Sequence, residues 1–468
     1  RHCPQSRKRR MWIRASAESI KLLAAPIGTN GADVIVSMRV DKISIVLDAI
    51  SVLSDTQLQL LLLRSCAAMP KFMFALRGTH PQFIGASIER FDKLVTKCLE
   101  SIIGSPLTSL QRQRISLPFP LGGLSIPIAA DIALAAHLAS LLQTVDLQAS
   151  ICNLDRDTLI EIHEPLIQSF NVLVPQEQQL TLATLVASKH PQQLLTSALY
   201  HERPNRLVEQ MFASGNAIEA RTFRSALLQH SGEFLKALPI PGLGLTMSPK
   251  DFRLSVRSYL GMKLFPRESL CTVCHSAPND VYGLHASNCR TTARHERLKH
   301  LIKAIAVEAN LSAITEPSGL LPNSDDRPAD VLIHAFQQER DLAIDVNITG
   351  TRGSNDDPIE QLQKAVDRKN TFYLARCEAV NIDFTTFVVD SIGGIHPDAA
   401  ELITRIAIFW ARSRDCSVTI ARTRLMQRIS FCVKRSLAAE YSNRNFEYDD
   451  LDPIAIIGEE NEGVGGIS

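Results

Sequence analysis

The chain has 468 residues, 45% apolar and 21% charged, a balance that excludes a wholly disordered polyelectrolyte and suits about two to four globular domains. Its formal net charge of +1 argues neither for nor against a nucleic-acid partner, so charge has to be read locally. No apolar run of about 18 residues stands out, so no membrane partner is expected, and the opening residues lack the apolar core of a signal peptide.

Residues Arg1, Arg7, Lys8, Arg9 and Arg10 make a basic start without acids, which reads as a solvated arm and is compatible with a nuclear address. From about 41 to 260 the apolar positions recur at steps of three and four, as in Leu58, Leu61, Leu62, Cys66 and Met69, predicting an almost entirely helical region. Asp55 stands where a helix N-cap belongs, and Pro70 where that helix should stop. A second helix is predicted over 83–103, closed by Gly104 and Pro106. Pro118, Pro120, Gly122, Gly123 and Pro127 mark a loop, and the stretch 126–142 reads as a buried helix interrupted by Asp131 and His137.

The pattern changes after Pro266. An amphipathic helix is predicted over 292–310, then strands over 329–336 and 342–349, a helix over 359–379, a strand over 385–389 and two helices over 397–441. The Gly-rich acidic end from 446 to 468 is expected to be disordered.

Cys271, Cys274, His285 and Cys289 spell C-x2-C-x10-H-x3-C. Zinc takes four N or S ligands in a tetrahedron, and a C-x2-C turn offers two thiolates from one tight loop. The expected cofactor is therefore a structural Zn2+, with His275 and His295 as spare ligands. The remaining cysteines of the ten are scattered and fit buried thiols in a reducing, intracellular compartment, nuclear or cytoplasmic. Between Lys263 and Lys303 seven Lys or Arg face three acids. Arg290, Arg294, Arg297, Lys299 and Lys303 are the candidates for phosphate contacts behind the zinc-stapled loop.

Asp330 and Asp345 each stand in an apolar strand run of one predicted hairpin. A carboxylate there is costly unless paired or metal-bound, and two on adjacent strands can share Mg2+ or Mn2+, which would activate water against a phosphodiester. Lys369 and Tyr373, at i and i+4, share one helical face. Glu316 reads as a surface loop residue that could add a further acid.

These motifs resemble non-LTR retrotransposon proteins that carry a restriction-like endonuclease. The knuckle, Arg327-Pro328-Ala329-Asp330, the second acid Asp345 and the Lys369/Tyr373 pair stand in the family's order. The acid sits one place later than in the family's Pro-Asp, and Asn347 occupies the position where the wider fold places its lysine. Upstream, Ala25-Pro26-Ile27-Gly28, 59–66 and Leu117-Pro118-Phe119-Pro120-Leu121-Gly122-Gly123-Leu124 resemble the end of a reverse-transcriptase palm and its thumb.

The resemblance implies a multidomain chain with a mainly α-helical N-terminal region. It would comprise a palm end with basic arm (1–40), a thumb-like helical domain (41–150), a helical linker domain (151–262), the zinc knuckle (263–300), a small α/β domain of the PD-(D/E)xK nuclease type (301–445) and the acidic tail. It implies Asp330 and Asp345 as ligands of a catalytic Mg2+ or Mn2+, with Lys369 and Tyr373 completing the site, and target DNA or element RNA as partner. No polymerase activity is expected, because no paired polymerase aspartates stand in a strand context. Two other readings stay open: a catalytically inactive nucleic-acid-binding remnant, and a helical scaffold that the knuckle merely staples.

Overall fold

The computed structural model describes residues 20–444, apart from 23–24, 28–30, 290–292, 323, 325 and 338. The basic arm, the acidic tail and Arg290 therefore lie outside the described residues. The chain groups into two compact units, one of 1–48, 65–95 and 128–201, the other of 49–64, 96–127 and 202–468. Most described residues are helical, with small sheets added.

The first unit is built on helix Ala129–Gln143. Its alanines let neighbours approach closely, and Ala135, Leu138 and Leu142 pack with Ile167, Phe170, Leu185 and Leu195. Asp92 accepts hydrogen bonds from the first amides of that helix, Ala129 N at 2.8 Å and Ala130 N at 3.0 Å, filling the role of an N-cap from a distant helix. Phe72 stacks on Phe91 with ring centres 4.2 Å apart.

Asp55 does cap helix Thr56–Leu62, accepting from Leu58 N. Pro70, however, opens helix Met69–Gly78, in a first-turn position where the missing N–H costs nothing. Between the two lies a π-helical turn, Leu63–Ala67. The run Thr56–Gly78 is long and apolar enough to cross a membrane by length and composition, which corrects the expectation that no such run exists. Its Leu60, Leu63, Phe72 and Leu76 are buried in the fold, while Phe74 is exposed.

In the second unit, Arg114 organises the Pro/Gly loop. It is fully buried and donates to the carbonyls of Gly122, Tyr259 and Leu260 at 3.2, 2.6 and 2.9 Å, with its guanidinium over the Phe223 ring at 4.6 Å. Burial lowers its pKa to about 10. Gly123 has no space for a side chain, since a Cβ would lie 2.0 Å from Leu117 O.

The C-terminal part of this unit is a four-stranded sheet between helices. In chain order it runs α1 (Ala293–Glu308), β1 (Ala313–Thr315), β2 (Val331–Gln337), β3 (Arg340–Thr349), α2 (Pro358–Glu378), β4 (Ile382–Asp390), α3 (Pro397–Ser413) and α4 (Val418–Ser442). Strands β1, β2 and β3 form an antiparallel meander, and β4 joins β3 in parallel after the α2 crossover. Alternation sorts the side chains. Leu342, Ile344 and Val346 share a core with Leu298, Ile302, Ile403 and Leu425 of α1, α3 and α4. Ala343 on the other face packs with Leu332, Phe384 and Cys377, while Val388 meets Leu362 and Val366 of α2.

Candidate functional site

The knuckle is assembled by short-range turns. Asp280 accepts from the amides of Tyr282, Leu284 and His285 at 2.9, 3.0 and 2.7 Å, so it caps the short helix Leu284–Asn288 that carries His285. Gly283 enters that helix at φ 70° against the Tyr441 ring, where a Cβ would meet Cε1 at 2.8 Å. One ligand atom each from Cys271, Cys274, His285 and Cys289 lies within 4.8 Å of all the others. His285 Nε2 is 3.3 Å from Cys274 Sγ.

Burial would raise the Cys271 thiol, yet the amides of Cys274 and Val273 and the Arg444 side chain bring it down to about 6. The Ser276 hydroxyl and amide lower Cys274 to about 7, while burial raises Cys289. Three sulfurs and one imidazole, two of the thiols primed for ionisation, fit Zn2+. Four protein ligands leave no open position, so the ion would be structural. His275, in a left-handed turn at φ 51°, and His295 stand outside the cluster.

Arg352 fastens the knuckle to the α/β part. It is 2% exposed and donates to Ser287 Oγ and Tyr441 OH, both at 3.1 Å, with Tyr282 O and Gly283 O at 3.4 and 3.5 Å. Nothing in the local sequence marked Arg352, because its partners come from elsewhere in the chain.

The second cluster forms where β2 begins. The pairing Val331↔Ile344 sets Asp330 across from Asp345. Asp330 Oδ2 accepts from Val346 N at 2.7 Å and lies 3.1 Å from His295 Nε2. Burial pushes Asp330 up, but His295 and the Val346 amide outweigh it and hold the carboxyl below its ordinary value. Asp345 is 5% exposed, and burial raises its pKa against the pull of Lys369. Lys369 Nζ donates to Asp345 Oδ1 at 2.7 Å and stands 5.8 Å from the Tyr373 ring centre. Tyr373 in turn packs against Phe384 at 5.9 Å.

Asp345 Oδ2 is buried without a hydrogen-bond partner, an arrangement that ordinarily calls for an ion or a proton. The cluster is thus compatible in donor chemistry with a hard, oxygen-seeking cation. Asn347, two residues past Asp345, is half-buried on β3; the amine beside the pair comes from Lys369 on α2.

His295 belongs to this cluster, not to the knuckle, and hydrogen bonding to Asp330 raises its pKa. The only sequence signal was its place at the start of the helix after the knuckle. Glu316 is half exposed and pairs with Lys299 and Arg327, although its amide donates to Asp330 O at 2.9 Å.

The phosphate-contact expectation needs correction at two positions. Lys299 is 2% exposed, held by Glu296 at 2.7 Å and by Glu316. Arg294 is 8% exposed, paired with Glu440 at 2.9 Å and donating to Ser287 O at 2.6 Å. Both cations lie on the inward face of α1 and tie elements together. Arg297 is exposed and Lys303 half-buried, so these two keep access to solvent.

No protein-family model matches the chain. Over 71 residues, 15% of its length, it is 35% identical to the retrotransposable element SLACS 132 kDa protein of Trypanosoma brucei gambiense. The matched stretch covers 6% of that protein, so the chain spans only a small part of this relative. The match supports a retroelement origin.

Proposed function

We propose that the chain is a retroelement-derived nucleic-acid-processing protein whose α/β part is a metal-dependent DNA endonuclease. The observation that carries this reading is Asp345 Oδ2, buried and unpartnered beside Asp330 and Lys369. Two carboxylates on adjacent strands, with an amine beside them from α2, suit metal-assisted phosphodiester hydrolysis. The helix–strand–strand–strand–helix–strand order is consistent with the nuclease-type fold that the motifs resemble.

Asp330 and Asp345 would hold Mg2+ or Mn2+, which when bound supplies Lewis-acid activation of water and neutralises phosphate charge. Val346 N and His295 orient Asp330. Lys369 keeps Asp345 from drifting and offers a cation to a phosphate oxygen or to the attacking water. Tyr373, packed against Phe384, sets its ring near the Lys369 ammonium. The zinc knuckle holds the α/β part in shape, and the helical half is the thumb-like remnant of a reverse transcriptase without polymerase activity.

Supercoiled plasmid with Mg2+ or Mn2+ tests this directly: nicking by the wild type and none by Asp345→Ala is expected. The point variant is a cleaner control than EDTA, which would also strip zinc. A second reading, an inactive binding remnant, draws on the saturation of Asp330 Oδ2 by Val346 N and His295. DNA binding without nicking would decide for it.

A further inference from the structure

A cavity of about 910 Å3 opens along helices α1 and α4, on the side of the sheet away from α2. Its cationic lining is entirely arginine apart from His300. Three of the five arginines, Arg424, Arg428 and Arg435, come from α4 at steps of four and seven, which keeps them on one helical face. At about 1.5 Å per residue the row extends for roughly 16 Å. Arg297 of α1 and Arg414 of the loop after α3 complete it.

Two carboxylates stand against the five arginines in the same cavity. Glu308 takes a bidentate pair from Arg428, 2.7 Å at each oxygen, with Trp410 Nε1 at 3.3 Å and Arg414 at 3.5 Å. Arg428 holds Glu308 below its ordinary pKa. Asp251 accepts from the Ser248 hydroxyl at 2.8 Å in the first turn of helix Pro249–Leu260. Arg435 rests on neutral carbonyls, Thr246 O at 3.0 Å and Gly244 O, so its charge is uncompensated. Arg297 and Arg424 are exposed and have no carboxylate partner among the described residues. The groove therefore keeps an excess of positive charge spread along its length.

A row of planar guanidinium forks suits a ligand with regularly repeated oxyanions, and arginine is the side chain that meets phosphate bidentately. We propose that this groove binds the phosphodiester backbone of a polynucleotide, as a site separate from the Asp330/Asp345 cluster. It shares with the proposed function only that the ligand is a nucleic acid, and it holds whether or not the chain cleaves.

The test uses the full chain carrying Asp345→Ala, so that no cleavage intervenes, with fluorescent 20-mers of single-stranded DNA, duplex DNA and single-stranded RNA followed by anisotropy across a salt series. Arg297→Glu combined with Arg424→Glu is expected to weaken binding at least about tenfold. It should also flatten the dependence of log K on log salt by about 2, close to 0.9 per phosphate contact. The matching double Arg→Lys variant keeps both charges, so it is expected to retain the parent's salt slope while losing part of the affinity, because an ammonium cannot make the bidentate contact. Both side chains are exposed, so an unchanged melting temperature separates lost binding from lost fold. Binding and salt slope unaltered in the Glu variant would overturn the proposal. So would absence of binding to all three probes, or displacement of the probe by polyglutamate at equal charge. Plasmid nicking is read separately, so failure of the groove and failure of the nuclease are distinguishable.

Discussion

The two candidate metal sites are built on opposite plans. The knuckle takes soft ligands from one short stretch, closes around them and leaves no position for substrate. The carboxylate cluster takes hard oxygens from the start of β2 and the middle of β3, an amine from α2 and an imidazole from α1. It also leaves one oxygen unsatisfied. A site that holds a fold together benefits from satisfied, local ligands, whereas a site for chemistry needs unfilled capacity held rigidly by distant elements. The first should therefore govern stability, and the second should hardly matter to it.

The largest expected effect comes from removing zinc. Chelation at pH 7, or Cys274→Ser, should lower the melting temperature of the second unit by on the order of 10 °C or more, because metal affinity of a structural site is folding free energy. Elemental analysis should find one zinc per chain in the wild type, and its absence would mean that the knuckle is held by protein contacts alone. Arg352→Ala should come next. It removes the buried bonds to Ser287, Tyr441 and two carbonyls and leaves a cavity, at a cost of about 3 kcal/mol, or roughly 4–6 °C for a unit of about 300 residues. Calorimetry checks it.

A smaller effect is tied to pH. Arg428 depresses Glu308 below its ordinary value, so the stability this pair contributes is present above the unfolded carboxyl pKa. It is lost as pH falls through the lower folded value. Wild-type urea midpoints should therefore fall more steeply between about pH 5 and 3 than those of Glu308→Gln, a difference of about 1 kcal/mol. Parallel curves would mean that the ion pair contributes nothing to stability. The smallest shift in stability is expected for Asp345→Asn. Burial already disfavours the carboxylate, and Lys369 is 29% exposed and can return to water. The melting temperature should move by less than about 2 °C, while plasmid nicking should vanish. A large loss of stability would make Asp345 a structural residue.

How much of this was readable in advance differs along the chain. The knuckle was legible because all four ligands sit in one stretch whose turns are short, and spacing alone constrains such geometry. Strands β2, β3 and β4 and the helices α1 to α4 were legible from periodicity, with bounds shifting by a few residues at most. Pro70 misled because a proline stops one helix and starts another by the same restriction of φ, and only the following residues choose between them. Lys299 and Arg294 misled because a helix has an inward face even where charged residues stand on it, and Glu316 and Glu440 reach them from other parts of the chain.

Local sequence was enough for the helical and mixed regions, for the candidate zinc ligands, and for the acids and lysine that stand in strand and helix contexts. These follow from side-chain period and from ligand spacing, both of which act over a few residues. Packing of distant elements is what sets His295 against Asp330 and outside the knuckle, leaves Asp345 an unsatisfied oxygen, lets Arg352 fasten the knuckle, and lines one groove with arginines of α1, α4 and the loop after α3. Each of these depends on which elements pack together, and burial and partner distance are set by that packing, not by neighbours along the chain.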